Sequence, residues 1–233
     1  MTVAWVVGAR GLLGRALTDR LRQSHTVLFS PAFQFAWNDE RQLQDQLSYA
    51  VAAFAQDARD AGSWEVYWSA GISGMASPEP VMAAETRALR WFVDRLETEP
   101  FLREAPGRFL LSSSAGSVYA GSQESVVDEA SPCAPTTPYA LGKLEQEDLV
   151  CRSSLPASGC RVLLARVSNV YGPALPGDNR QGLITTMARC VVRNRPVPIY
   201  VPLDTARDYI DSRDAAHIGI ATLRVCPVRR SPW

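Results

Sequence analysis

Five apolar residues, Val3-Ala4-Trp5-Val6-Val7, run without a break into a segment with glycines at 8, 11 and 14. A continuous apolar run of this length predicts a strand buried on both faces, as in a parallel sheet. Beyond the glycines, residues 15–21 carry apolar side chains at helical spacing. Glycines so placed between strand and helix allow a sharp turn, a close backbone approach to a pyrophosphate, and tight packing of helix on strand. The helix start then offers unpaired amides to phosphate. The competing reading is a tight strand-to-helix turn that meets no ligand.

The rest of the chain alternates in the same way. Residues 25–29 predict a second strand, 41–61 a helix, 64–71 a strand with its exit loop, 80–96 a helix and 108–113 a strand. Such alternation implies right-handed crossovers and a Rossmann-like, doubly wound parallel sheet. The ligand crevice of that architecture lies beyond the carboxyl ends of the strands, where 8–14, 69–71 and 112–117 converge. An acidic residue after the second strand would select NAD; here Ser30-Pro31 stands there. Arg10, inside the glycine turn, either meets a 2′-phosphate or points to solvent. The phosphate reading predicts a modest preference for NADP over NAD.

One stretch gathers reactive groups. Residues 109–111 predict a strand that ends in hydroxyls, Ser112 to Ser114 and Ser117, and a proline loop then leads to Pro138-Tyr139 and Lys143. Four residues is about one helical turn, so the phenol and the ammonium share a face. A nearby ammonium is expected to lower the tyrosine pKa towards working pH and make Tyr139 a general acid/base. Taken alone, such a pair is common on exposed helices and a serine cluster is usually a loop. It is the shared rim that joins them.

Composition narrows the alternatives. The 233 residues suit one large domain or one and a fraction. Lysines plus arginines equal aspartates plus glutamates at 24 each, which argues against nucleic acid or anionic membrane as a partner. The five cysteines, 133, 151, 160, 190 and 226, include no C-x-x-C pair, so reduced thiols in a cytoplasm are expected, with no disulfide framework or metal site. His25 and His217 are the only histidines, and both read as structural or surface residues. The 3–7 run is too short for a signal peptide, and no segment approaches a membrane span.

The ordered motifs resemble those of the extended short-chain dehydrogenase/reductases, the NAD-dependent epimerase/dehydratase family acting on nucleotide sugars. The resemblance rests on the 8–14 turn, Ser113-Ser114-Ala115-Gly116-Ser117-Val118-Tyr119, Asp128-Glu129, and 138–147 with Tyr139 and Lys143. It continues through 166–173, with Asn169, and 206–216, with Arg207. It implies that Tyr139 is the acid/base and that Lys143 holds the tyrosine and the nicotinamide ribose. A serine hydroxyl would bond the reacting oxygen, with Ser114 the first choice and Ser117 the second. Leu12 and Leu13 would touch the pyrophosphate through backbone amides, with Gly8, Arg10, Gly11 and Gly14 also at the cofactor, Trp37 and Asn38 would flank the adenine, and Ser69, Ala70 and Gly71 would line the cofactor. Asn169 and Arg207 would bind the sugar nucleotide's diphosphate. Glu85 departs from the family, which commonly has asparagine there.

Against that family the C-terminal side reads as short. The expected organisation is a dinucleotide-binding domain over 1–166, a partial substrate region over 167–223, and a disordered tail over 224–233. The leading functional expectation is an NAD(P)-dependent epimerase or reductase, cytoplasmic and a possible homodimer. Dehydration is least expected, because Ala115, Gly116 and Ser117 occupy the space of an acidic pair. The alternative is a truncated, non-catalytic dinucleotide-binding protein, a redox sensor or assembly partner.

Overall fold

The computed structural model describes residues 1–24, 26–173, 182–199, 202 and 205–225. Strand β1 (Val3–Val7) lies between β2 (Val27–Phe29) and β3 (Trp64–Trp68), and β4 (Gly107–Ser114) and β5 (Arg161–Val167) continue the sheet beyond β3. Every neighbouring pair is parallel. The chain winds one way from β1 to β2 and the other way from β3 onward, so a switch-point crevice opens between β1 and β3. The Rossmann-like fold expected from the strand–helix alternation is the one observed.

Side-chain alternation along the strands builds one core on each face of the sheet. Val3, Trp5, Val7, Trp64, Val66, Trp68, Phe109 and Leu111 pack beneath helices α2 (Glu40–Ala61) and α3 (Glu79–Thr98). Trp5 lies at the centre, with ring centroids 4.9 Å from Phe29, 5.1 Å from Phe92 and 5.4 Å from Phe54. On the opposite face Ala4, Val6, Tyr67 and Leu110 meet α1 (Leu12–Gln23) and the last helix, Ser212–Val225.

Four further helices complete the described chain before that last one: α4 (Pro100–Glu104), α5 (Ala115–Val118), α6 (Pro138–Arg152) and α7 (Leu183–Val192), so Ser212–Val225 is α8. Helix α6 starts where the sequence places it. Thr137 caps it, its hydroxyl accepting the Ala140 amide at 3.2 Å, and Pro138 follows at the first helical position. A separate two-stranded sheet pairs β6 (Asn169–Tyr171) with β7 (Tyr209–Asp211).

A buried carboxylate, which sequence reading passed over, ties α8 to the sheet. Glu65 on β3 is 1% exposed and accepts bonds from Arg108, Arg224 and the Tyr67 hydroxyl. Arg224 therefore belongs to a helix, which corrects the start of the expected tail; residues 226–233, with Cys226, lie outside the described residues, as does His25. His217 is exposed on α8. Cys133, Cys151, Cys160 and Cys190 are free thiols. Among the described residues no helix is long and apolar enough to cross a membrane.

Candidate active site

The three glycines have different duties. Gly8 has φ of +91°, and a Cβ there would stand 2.6 Å from the Ala70 amide nitrogen. A Cβ on Gly14 would run into the Gly8 carbonyl and lie 2.8 Å from the Ser69 hydroxyl. Gly8 and Gly14 are therefore demanded by the protein's own packing. Gly11 is not, since its added Cβ would meet only the Gly8 oxygen, at an ordinary 3.4 Å. Gly11 is also the N-cap of α1 and offers no side-chain cap, so the amides of Leu12 and Leu13 begin a helix with no intrahelical acceptor. Ser69, Ala70 and Gly71 leave β3 beside them, and the Ser69 hydroxyl donates to the Val7 carbonyl at 3.0 Å.

Arg10 is exposed. Its guanidinium donates to the Gln34 side-chain oxygen at 3.1 Å, in the loop that follows β2. Gln46 of α2 anchors that loop by accepting the Ala36 amide and donating to the Gln34 carbonyl. Trp37 is 40% exposed, with its ring 5.5 Å from Phe35, and Asn38 is exposed beside it.

At the carboxyl end of β4, Ser114 comes close to Tyr139, and its hydroxyl favours ionisation of the phenol. Ser117 is fully buried and donates to the Ser114 carbonyl at 3.0 Å. The hydroxyl proton of Ser117 is thus engaged by backbone.

The expectation of a lowered Tyr139 pKa is also corrected. Burial pushes the phenol up from its ordinary value, and the Glu85 carboxylate adds to the rise. Lys143 does not reverse this. Its ammonium lies 5.7 Å from the Tyr139 ring centre and donates to Gln146 at 3.1 Å and the Ser112 carbonyl at 3.4 Å. Lys143 is only 7% exposed, and that burial pulls its own pKa down. Gln146 in turn bonds Thr86 of α3. Both residues escaped sequence reading, although Tyr139, Lys143 and Gln146 follow helical spacing on one face of α6.

Behind this pair a buried network fixes α6 to the sheet. Glu147, 4% exposed, accepts from the Ser113 hydroxyl at 2.5 Å and from Arg166 of β5 at 2.7 Å, while Arg166 also donates to the Tyr119 hydroxyl. Removing one partner of a buried pair leaves an uncompensated charge, at a cost of about 3–5 kcal/mol. Glu147→Ala should therefore lower unfolding free energy by about that amount in a denaturant titration. A loss under about 1 kcal/mol would show that Arg166 relaxes into solvent.

Asn169 comes near this rim. Its amide donates to the Asp208 carbonyl at 2.9 Å, and Gly116 faces it across 4.0 Å measured from an added Cβ. Arg207 is exposed and, among the described residues, bonds its neighbour's carbonyl at 3.3 Å.

The site fits a dinucleotide. A glycine with room to spare sits at an uncapped helix start, and the hydroxyls of Ser73, after β3, and Ser112, near the end of β4, are buried without partners. Together with the parallel sheet, these features define a Rossmann-like α/β protein. The chain belongs to the NAD dependent epimerase/dehydratase family, whose model matches residues 4–227. It is 31% identical over 90 residues to dTDP-L-rhamnose 4-epimerase of Burkholderia thailandensis, covering 38% of this chain and 24% of that relative. It is 27% identical over 116 residues to dTDP-4-dehydro-6-deoxyglucose reductase of Escherichia coli, covering 50% of this chain and 36% of the relative. The matched stretches thus span well under half the length of these two relatives. Its fold resembles that of UDP-glucose 4-epimerase from Thermus thermophilus, crystallised with NAD, with a TM-score of 0.74 at 18% identity over 96% of this chain and 74% of that one.

Proposed function

We propose that this chain is an NAD(P)-dependent epimerase or reductase acting on a nucleotide sugar or a related hydroxyl or keto substrate. The observation that carries the reading is the placement of Lys143 beside Tyr139 on α6, its ammonium 5.7 Å from the ring centre and bonded to the Ser112 carbonyl of β4. When bound, a nicotinamide dinucleotide supplies a hydride acceptor or donor. Tyr139 takes the proton of the sugar hydroxyl in the oxidative direction and returns it to a ketone in reduction. Ser114 donates a hydrogen bond where charge develops on the reacting oxygen. The Leu12 and Leu13 amides are suited to the pyrophosphate, Trp37 and Asn38 to the adenine, Ser69 to Gly71 and Lys143 to the nicotinamide side. Asn169 and Arg207 are assigned to the substrate diphosphate. The matching units are a dinucleotide domain over 1–166 and a substrate region over 167–223, in a cytoplasmic protein able to pair as a homodimer. Turnover of a panel of nucleotide sugars with both dinucleotides tests this reading; no turnover with any of them would overturn it.

A second reading, a dinucleotide-binding protein without turnover, draws on α7, none of whose residues is buried. Dinucleotide binding with no nucleotide-sugar binding in the same panel would favour it.

Cofactor preference turns on Arg10. A charge-assisted bond to a 2′-phosphate contributes about 1.5–3 kcal/mol before screening, and no carboxylate at Ser30-Pro31 opposes it. Arg10→Ala is expected to weaken NADP(H) binding about tenfold and leave NAD(H) binding nearly unchanged. Equal weakening of both, measured at two salt concentrations, would show that Arg10 does not read the phosphate.

A further inference from the structure

Glu85 sits on α3 between Met82 and Thr86, and both neighbours pack on α6. Met82 fills the space over Gly142, and Thr86 meets Gln146, the acceptor for Lys143. From there the carboxylate reaches the segment leaving β3: one oxygen accepts the amides of Ile72 at 2.5 Å and Ser73 at 2.7 Å. The other would touch a Cβ on Gly71 at 2.9 Å, so backbone and carboxylate are closely packed.

We propose that Glu85 is a positioning residue: it pins the 71–73 segment to the rim and sets a negative charge beside the Tyr139–Lys143 pair that governs when the pair releases its protons. The proposal rests on Tyr139 being the acid/base. The charges around the pair come from three elements. Lys143 and Glu147 lie on α6, Glu85 on α3, and Arg166 on β5, where it neutralises Glu147. Glu85 instead directs its bonds to backbone amides. After burial, it is what holds the Tyr139 phenol up, and it opposes the downward pull of burial on Lys143. A negative neighbour disfavours phenolate, so removing it must make Tyr139 ionise at lower pH.

Glu85→Gln keeps an oxygen for both amides and removes the charge. The tyrosinate ultraviolet band of the dinucleotide-free protein, taken as the difference from the matching Tyr139→Phe form, should then titrate at lower pH. In turnover by oxidation, the rate on the acid limb of the pH profile should rise about three- to tenfold. Glu85→Asn repeats the charge test if the glutamine form does not fold. Glu85→Ala, which also loses the amide acceptor, should weaken dinucleotide binding about tenfold where Glu85→Gln does not. An unmoved tyrosinate midpoint in a folded Glu85→Gln protein overturns the charge role, and equal dinucleotide affinities of the Gln and Ala forms overturn the pinning role. The ultraviolet titration needs no substrate, so a shifted midpoint in a protein inactive on every nucleotide sugar supports Glu85 while overturning the proposed function.

Discussion

Tyr139→Phe should lower turnover about a hundredfold or more while dinucleotide affinity stays within about twofold. The substitution removes one oxygen, and that oxygen is the group whose ionisation the Ser114 hydroxyl favours. The phenyl ring keeps its place at the start of α6, because Pro138, the Thr137 cap and the buried Lys143–Gln146 contact fix the helix without it. Binding energy for the dinucleotide comes from the glycine turn and the α1 amides, which the substitution leaves alone. Rate and affinity therefore separate. A Tyr139→Phe protein within about threefold of wild-type rate would mean that the proton is carried elsewhere.

The second large effect is a contrast between two glycines. Gly11→Val should fold normally and lose dinucleotide binding. At Gly11 the backbone has φ −71° and ψ 169°, a conformation that valine adopts readily, and the protein leaves space for a Cβ. The side chain would instead occupy the path of a pyrophosphate to the α1 amides. Gly14→Val should fail differently: its Cβ meets the Gly8 carbonyl, so the turn must shift at a cost of about 1–3 kcal/mol or more in stability. Thermal unfolding and calorimetric titration of both variants make the comparison. Unchanged dinucleotide affinity in a folded Gly11→Val protein would remove the glycine turn from the binding site.

The features legible in the sequence are those written in local periods. The Val3–Val7 run, the glycine spacing and the Tyr139–Lys143 spacing each need only neighbouring residues, and the fold follows them. What was hidden depends on contacts between distant elements. The raised Tyr139 pKa comes from burial and from Glu85 on another helix, neither visible in a four-residue motif. The engagement of Ser117 depends on a single turn of α5, which directs its hydroxyl back to a carbonyl. Glu65 lies buried within a strand because Arg108 and Arg224 arrive from β4 and α8 to pair with it. Arg224 was assigned to a tail for the same reason: its partner lies far back in the chain.

The most direct test of the account is a single-turnover experiment on wild type and Tyr139→Phe. Each protein is saturated with oxidised dinucleotide, mixed with the nucleotide sugars of the panel, and followed by absorbance of the reduced nicotinamide and by analysis of the sugar. The account predicts formation of reduced nicotinamide or of the epimeric sugar in wild type, and loss of that signal in Tyr139→Phe with the dinucleotide still bound. Dinucleotide bound equally by both proteins, with no change in any nucleotide sugar in wild type, would contradict it.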